Sequence, residues 1–328
     1  MTVVYFIPIL LLTLVFGYMN SVNGAATIVA TLISSRALSP RRSLILATIG
    51  ICAGPFLLGV AVAGTIGTDI VAAEAQTSNV LIAALLGAIV WVGLALWLKI
   101  PSSTTQAFVG SLIGVVLIGY GQDAVLMPGL TKTLVAIFLS PVLGIVVGFW
   151  LVKLCYRLSS SASPRINVWF KRGQVLMCAM MAVAYGANDG QKIMGILAFG
   201  LVASGLLTQF AIPTWVVIFS AATMGLGAFL GSWRLIHTIG GGFYRVRPVH
   251  GFGAQIASGT ILLSASILGG PVSSSQVITS AVVGAGTAER IQQVRWRVVQ
   301  NVIFAWLLTL PLSALAGAGI YTLLERLT

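Results

Sequence analysis

Asn188, Asp189 and Lys192 stand together in AYGANDGQKIMG, residues 184–195, with apolar stretches on both sides. A carboxylate offers acceptors, an ammonium offers donors and an amide offers both, so this trio can hold a cation, a proton or an oxyanion. A charge at the centre of a membrane helix costs about 2.5–3.5 kcal/mol on insertion scales, so Asp189 and Lys192 need a compensating environment or a purpose. Their i, i+3 spacing makes them neighbours on one helix, and a self-neutralising ion pair is the plain structural reading. Gly186 and Gly190 bracket the trio and point instead to a helix break. A half-helix starting near Asn188 would aim its N–H groups and positive dipole end at an anion. Asn188 would then donate to that anion, while Asp189 would act as a cation ligand or proton acceptor. Lys192 reads either as a counter-charge for the anion or as the partner that keeps Asp189 ionised.

A second constellation is made of hydroxyls. PSSTTQ at residues 101–106 returns as PVSSSQ at residues 271–276. Each follows a proline, which suits the first turn of a helix, where hydroxyls cap N–H groups or donate to a ligand. A lone Ser or Thr in a membrane helix more often bonds the carbonyl one turn back. Two matching clusters argue for a site built from Ser103, Thr104, Thr105, Ser273, Ser274 and Ser275.

The elements that must position these groups form two similar halves. The hydroxyl motifs lie 170 positions apart, and VNGAAT, with Asn23, precedes ANDGQK, with Asn188, by 165. The expected division is residues 1–157, a basic cytoplasmic linker at 158–172, and residues 173–328. Lys and Arg concentrate on the cytoplasmic side of membrane proteins. The loop with Arg36, Arg41 and Arg42 is basic where its counterpart around Leu201 to Pro213 is uncharged, and the loop with Asp69 and Glu74 is matched by one with Arg245 and Arg247. Asp123 and Lys132 are likewise answered by Glu289, Arg290, Arg295 and Arg297. Equivalent loops therefore face opposite sides, which describes an inverted repeat. Such proteins place substrate near the bilayer midplane at broken helices.

Composition sets the class. Of 328 residues, 58% are hydrophobic and 7% charged, with mean hydropathy +1.04, whereas soluble domains carry about 25% charged residues. Apolar runs such as Val3–Met19, Val80–Trp97 and Val298–Leu323 are near the roughly 20 residues that a spanning helix needs. The expected fold is an all-α polytopic membrane protein of about 10–12 helices and hairpin segments. The net charge of +12 sits in short loops and reads as topology signal rather than a nucleic-acid surface. Cys52, Cys155 and Cys178 have no disulfide or metal-ligand spacing. The N-terminal run is not read as a cleaved leader, since its first basic residue is Arg36. Trp91, Trp97, Trp150, Trp169, Trp215, Trp233 and Trp296 read as interface anchors, and His237 and His250 as surface loop residues.

These motifs resemble the inorganic phosphate transporter (PiT) family. GANDGQKIMG at 186–195, GPVSSSQV at 270–277 and GSWRLIHTIG at 231–240 are similar to its second-half segments, and SSRALSPR at 34–41 and PSSTT at 101–105 to its first-half segments. The resemblance implies cation-coupled phosphate symport, two inverted repeats with re-entrant hairpins carrying the hydroxyl motifs, and a homodimer in the plasma membrane. By motif position, Asn23, Thr27, Asn188 and the hydroxyls of residues 103–105 and 273–275 would line the anion site, and Asp189 would serve the coupling cation, with Asn23 and Asn188 beside it. Two departures stand out. Where the first motif carries Asn-Asp-x-x-Asn, this chain has Asn23-Gly24-Ala25-Ala26-Thr27, so Thr27 stands in place of an amide and a carboxylate is missing. Gln106 and Gln276 stand where histidines often end the hydroxyl motifs. The expectation is proton rather than sodium coupling, no cofactor, and phosphate as substrate, with sulfate or a related oxyanion as the alternative. A channel or an intramembrane enzyme is disfavoured, the latter because neither a second membrane aspartate nor a buried Ser-His pair is available.

Overall fold

A computed structural model of the chain describes residues 2–98, 102–163, 165–231 and 247–327. Lipid offers no partner to a backbone N–H or C=O, so a chain this apolar must satisfy its backbone within helices. The first series is α1 (Thr2–Ser34), α2 (Pro40–Leu57), α3 (Ala61–Gly64) running into a π-helical segment (Thr65–Asp69), α4 (Ser78–Trp97), α5 (Thr104–Tyr120) and α6 (Met127–Leu158). The second is α7 (Ile166–Ala203), α8 (Thr214–Leu226) running into another π-helical segment (Gly227–Gly231), α9 (Pro248–Leu268), α10 (Ser274–Glu289) and α11 (Trp296–Leu327). The order of elements repeats. Both closing helices, α6 and α11, are 32 residues long, and their internal prolines, Pro141 and Pro311, stand 170 positions apart.

Six described helices are long and apolar enough to cross a bilayer. Central α7 is buried at every residue from Ala184 to Leu201, packed by α1, α2, α8 and α9. A helix stretch covered on all sides has no use for a polar stripe, which accounts for the near-uniform apolarity of residues 184–201 outside the 188–192 region. Around this axis the two series exchange partners. Helix α5 packs on α4 and on α11 of the other series, while α10 packs on α9 and on α6. Small residues make these seams: a Cβ at Gly114 would lie 2.1 Å from the Ala314 carbonyl oxygen, and one at Gly284 would lie 2.1 Å from that of Ile145. Such close approach is how helices associate where no hydrophobic force acts between them.

The expected break at Asn188 is not there. Both α1 and α7 run unbroken, through Asn23 and through Asn188. The bracketing glycines serve close approach instead, since a Cβ at Gly186 would lie 2.2 Å from the Ile51 carbonyl oxygen and one at Gly190 2.7 Å from Pro55 Cγ. The break falls between α2 and the α3 segment, a 75° bend in which Gly59 takes the left-handed φ of +72°. Helix α7 begins at Ile166 and takes in Lys171 and Arg172 of the basic segment at 158–172. His250, expected in a surface loop, lies in the first turn of α9 and is 1% exposed. Its ring bonds the Tyr156 hydroxyl at 2.8 Å and faces Glu289 at 3.3 Å, while Arg247 pairs with Glu289 at 2.7 Å. Pro101, Trp233, Arg234, His237 and Arg245, with all of GSWRLIHTIG after Gly231, lie outside the described residues.

Candidate functional site

Two short helices begin head to head. Ser103 is the N-cap of α5 and accepts from the Gln106 N–H at 3.2 Å, while Ser273 is the N-cap of α10. The Ser103 hydroxyl donates to the Ser273 hydroxyl at 2.8 Å, and Ser275 lies 3.5 Å from Ser273. Ser273 makes no side-chain cap to its own helix. The first N–H groups of a helix lack intrahelical partners and carry its positive dipole end, so two such ends meeting inside a protein favour an oxyanion. Ser274 Oγ and Asn188 Oδ1 are buried with no partner among the described residues. Polar atoms left so in an interior call for a ligand or water.

The asparagines steady the approaches to these helices. Asn23 Nδ2 donates to the Ser102 carbonyl at 3.4 Å, ahead of α5, and Asn188 Nδ2 donates to the Gly270 carbonyl at 3.2 Å, ahead of α10. Each amide thus spends one of its two N–H donors on a backbone oxygen and keeps the other. Thr27 turns its hydroxyl to the Asn23 carbonyl one turn back at 2.9 Å. That is the ordinary behaviour of a threonine in a membrane helix.

Asp189 and Lys192 form a buried ion pair, 2% and 6% exposed at their side chains. The Lys192 ammonium also donates to the Thr105 hydroxyl at 2.8 Å and to the Val272 carbonyl at 2.5 Å. Thr105 lies in the first turn of α5 and Val272 just ahead of α10, so one residue of α7 ties both helix starts together. Lys192, Asp189, Thr104 and Thr105 face a narrow cavity with Asn20, walled by Phe16, Phe108 and Ile196. Of the expected site residues, the structure gathers Ser103, Thr104, Thr105, Ser273, Ser274, Ser275, Asn188, Asp189 and Lys192 around the two helix starts. Asn23 reaches them through Ser102, and Thr27 bonds within its own helix. Among the described residues no group of three or more His, Cys, Asp or Glu side chains forms a metal centre.

Four supporting residues escaped the sequence reading. Asn20 accepts from the Thr104 hydroxyl, and its carbonyl accepts from Tyr185 at 3.1 Å. Its signal was a polar residue one turn before Asn23 in an apolar run. Gln191 holds the real break, accepting from the Val62 N–H at 2.8 Å and donating to the Leu58 carbonyl at 3.2 Å. Trp91, expected as an interface anchor, donates to the Ser102 hydroxyl at 2.9 Å. Tyr185 fills the space beside Gly24, where a Cβ would lie 1.9 Å from its hydroxyl oxygen.

Known proteins share this chain's sequence and fold. A model of the Phosphate transporter family matches residues 20–317. A probable low-affinity inorganic phosphate transporter of Bacillus subtilis is 36% identical over 98% of this chain and 97% of its own, and one of Rhizobium meliloti is 35% identical over 96% and 95%. The solved structure titled "The sodium-dependent phosphate transporter" superposes with a TM-score of 0.88 over 99% of this chain and 100% of that one, at 22% identity. That likeness fixes the fold, and the sequence match fixes the kinship: this chain belongs to the phosphate transporter family.

Proposed function

We propose that this multi-pass membrane protein, which is not an enzyme, carries inorganic phosphate into the cell by symport with protons. The observation that carries the reading is the head-to-head meeting of α5 and α10 at Ser103 and Ser273, 2.8 Å apart, beside the buried Asp189–Lys192 pair. Helix starts and hydroxyls suit a tetrahedral oxyanion, and the names of the Bacillus and Rhizobium relatives support phosphate. Protonated phosphate also carries O–H donors, which Asp189 and the unpartnered Asn188 Oδ1 can accept. Sulfate has none to give.

Moving an anion inward against an inside-negative potential costs about 2.3 kcal/mol per charge per 100 mV, so a cation must accompany it. Asp189 is the carboxylate beside the helix starts, and a proton on it is the simplest coupling. The two series of helices are read as repeats of opposite orientation, the α4–α5–α11 and α9–α10–α6 groups moving against α1 and α7 to expose the site alternately. Two copies form a homodimer in the plasma membrane. Radiolabelled phosphate uptake into proteoliposomes tests this reading. Accumulation above equilibrium, driven by an inward proton gradient without sodium and resistant to excess sulfate, is the expected result. Uptake that stops at equilibrium would make the protein a channel, and loss of uptake to equimolar sulfate would make it a broader oxyanion permease.

A further inference from the structure

The Lys192 ammonium has three N–H donors and three oxygens to receive them. These are the carboxylate of Asp189, the hydroxyl of Thr105 at 2.8 Å and the carbonyl of Val272 at 2.5 Å. One carboxylate, one hydroxyl and one backbone carbonyl, drawn from three different segments, is the donor set with which proteins hold a small hard cation. The residue is 5% exposed in the most buried part of α7, and two of its partners, Thr105 and Val272, belong to the same helix starts as the paired hydroxyls. On the other side of the site, the space beside Gly24 is filled by the Tyr185 ring and hydroxyl. We infer that Lys192 is the resident cation of this transporter: its ammonium occupies the oxygen cage that a free coupling ion would otherwise need, and it passes from Asp189 to the substrate when Asp189 takes up a proton.

This inference rests on the phosphate reading and adds the charge balance of the cycle. In the empty site the Asp189 carboxylate and the Lys192 ammonium cancel. A proton from outside forms an O–H bond on Asp189, and Lys192, keeping its own protons, donates instead to an oxygen of dihydrogen phosphate. The loaded site then holds neutral Asp189, the ammonium and a monovalent anion, again with no net charge. Inside, Asp189 returns its proton to water, the anion leaves and the ion pair closes. One proton crosses with each dihydrogen phosphate, and no sodium is needed. On α7 the titratable group beside the ammonium is Asp189, which Tyr185 faces in turn. From the packed elements it meets Thr105 of α5 and the Val272 carbonyl, and the cavity it lines is shared with Asn20 of α1, Thr104 of α5 and Ile66 of the bent segment. A further charge, Lys132 of α6, donates to Thr65 at 3.1 Å, and Thr65 bonds the Gly269 carbonyl.

The test uses the full chain in proteoliposomes, with phosphate and sodium carrying separate radiolabels. Wild-type protein is expected to accumulate phosphate on a proton gradient with no labelled sodium entering alongside, and at a rate unaffected by an imposed membrane potential. Lys192→Ala, recovered as a monodisperse protein, is expected to lose at least about tenfold of its proton-driven uptake. It should regain part of that uptake in sodium, because the emptied cage can accept the ion. Sodium entering with phosphate through the wild type overturns the inference while leaving phosphate transport intact, and so does a Lys192→Ala protein that binds phosphate but ignores sodium. If Lys192→Ala does not fold, the wild-type sodium and potential measurements decide alone. Absence of phosphate uptake under every gradient would instead overturn the functional reading beneath it.

Discussion

The Ser103 hydroxyl donates to the Ser273 hydroxyl across 2.8 Å, joining residues 170 positions apart at the opposing starts of α5 and α10. The two helices belong to different series of elements, and each is packed on the closing helix of the other series, so neither series can build this pair alone. A tetrahedral anion between the two starts would exchange that mutual hydrogen bond for bonds to its own oxygens.

Ser103→Ala and Ser273→Ala are therefore each expected to weaken phosphate. A hydrogen bond to a charged group is worth about 1.5–3 kcal/mol, and 1.4 kcal/mol is tenfold in affinity, so the KM for uptake should rise about tenfold or more. The double variant should cost more than the sum, because each single variant is already spared the breaking of the Ser103–Ser273 bond on binding, a saving the double variant gains only once. Uptake kinetics of the three variants measure both effects.

Asp189→Asn keeps the shape and removes the proton carrier. Phosphate exchange between loaded and empty vesicles should persist while accumulation on a proton gradient disappears. The variant should also unfold at a lower temperature, since breaking a buried ion pair on one side typically costs about 3–5 kcal/mol. Full concentrative uptake in this variant would remove Asp189 from coupling.

Gln191→Leu tests the bend between α2 and α3. It leaves the Val62 N–H and the Leu58 carbonyl without their side-chain partner, at about 1–3 kcal/mol for each buried group left unmade. A melting temperature lowered by several degrees is expected, and an unchanged one would mean that water replaces the glutamine.

Two glycines should respond in opposite ways. Gly186→Leu drives a side chain into the Ile51 carbonyl, so the α2–α7 contact must open and the purified protein should lose its single size-exclusion peak. Gly59→Ala meets nothing within 4 Å and bears only the strain of its positive φ, roughly 1–2 kcal/mol. It should purify normally with a modest loss of thermal stability.

The helical class and the pairing of hydroxyl motifs were legible because both are written as repetition: apolar runs of spanning length, and one motif twice. The neighbourhood of Asp189 and Lys192 followed from their i, i+3 spacing on a helix. The break was misplaced because glycine carries two messages. At Gly59 it permits a left-handed turn, whereas at Gly186 and Gly190 it lets α2 press against α7, and spacing along the chain does not separate these uses. Asn20, Trp91 and Gln191 escaped because their partners lie in other segments of the chain. Tyr185 filling the space beside Gly24 is a contact between residues 161 positions apart, invisible until α1 and α7 are laid side by side.

Proton-coupled accumulation at this site is the central property to measure. The most direct measurement is the ratio of internal to external phosphate in sodium-free proteoliposomes as the imposed pH gradient is varied. The account predicts a ratio above one that climbs with an inward proton gradient and collapses when the gradient is abolished. A ratio fixed at one under every gradient, or one that rises only when sodium is added, would contradict it.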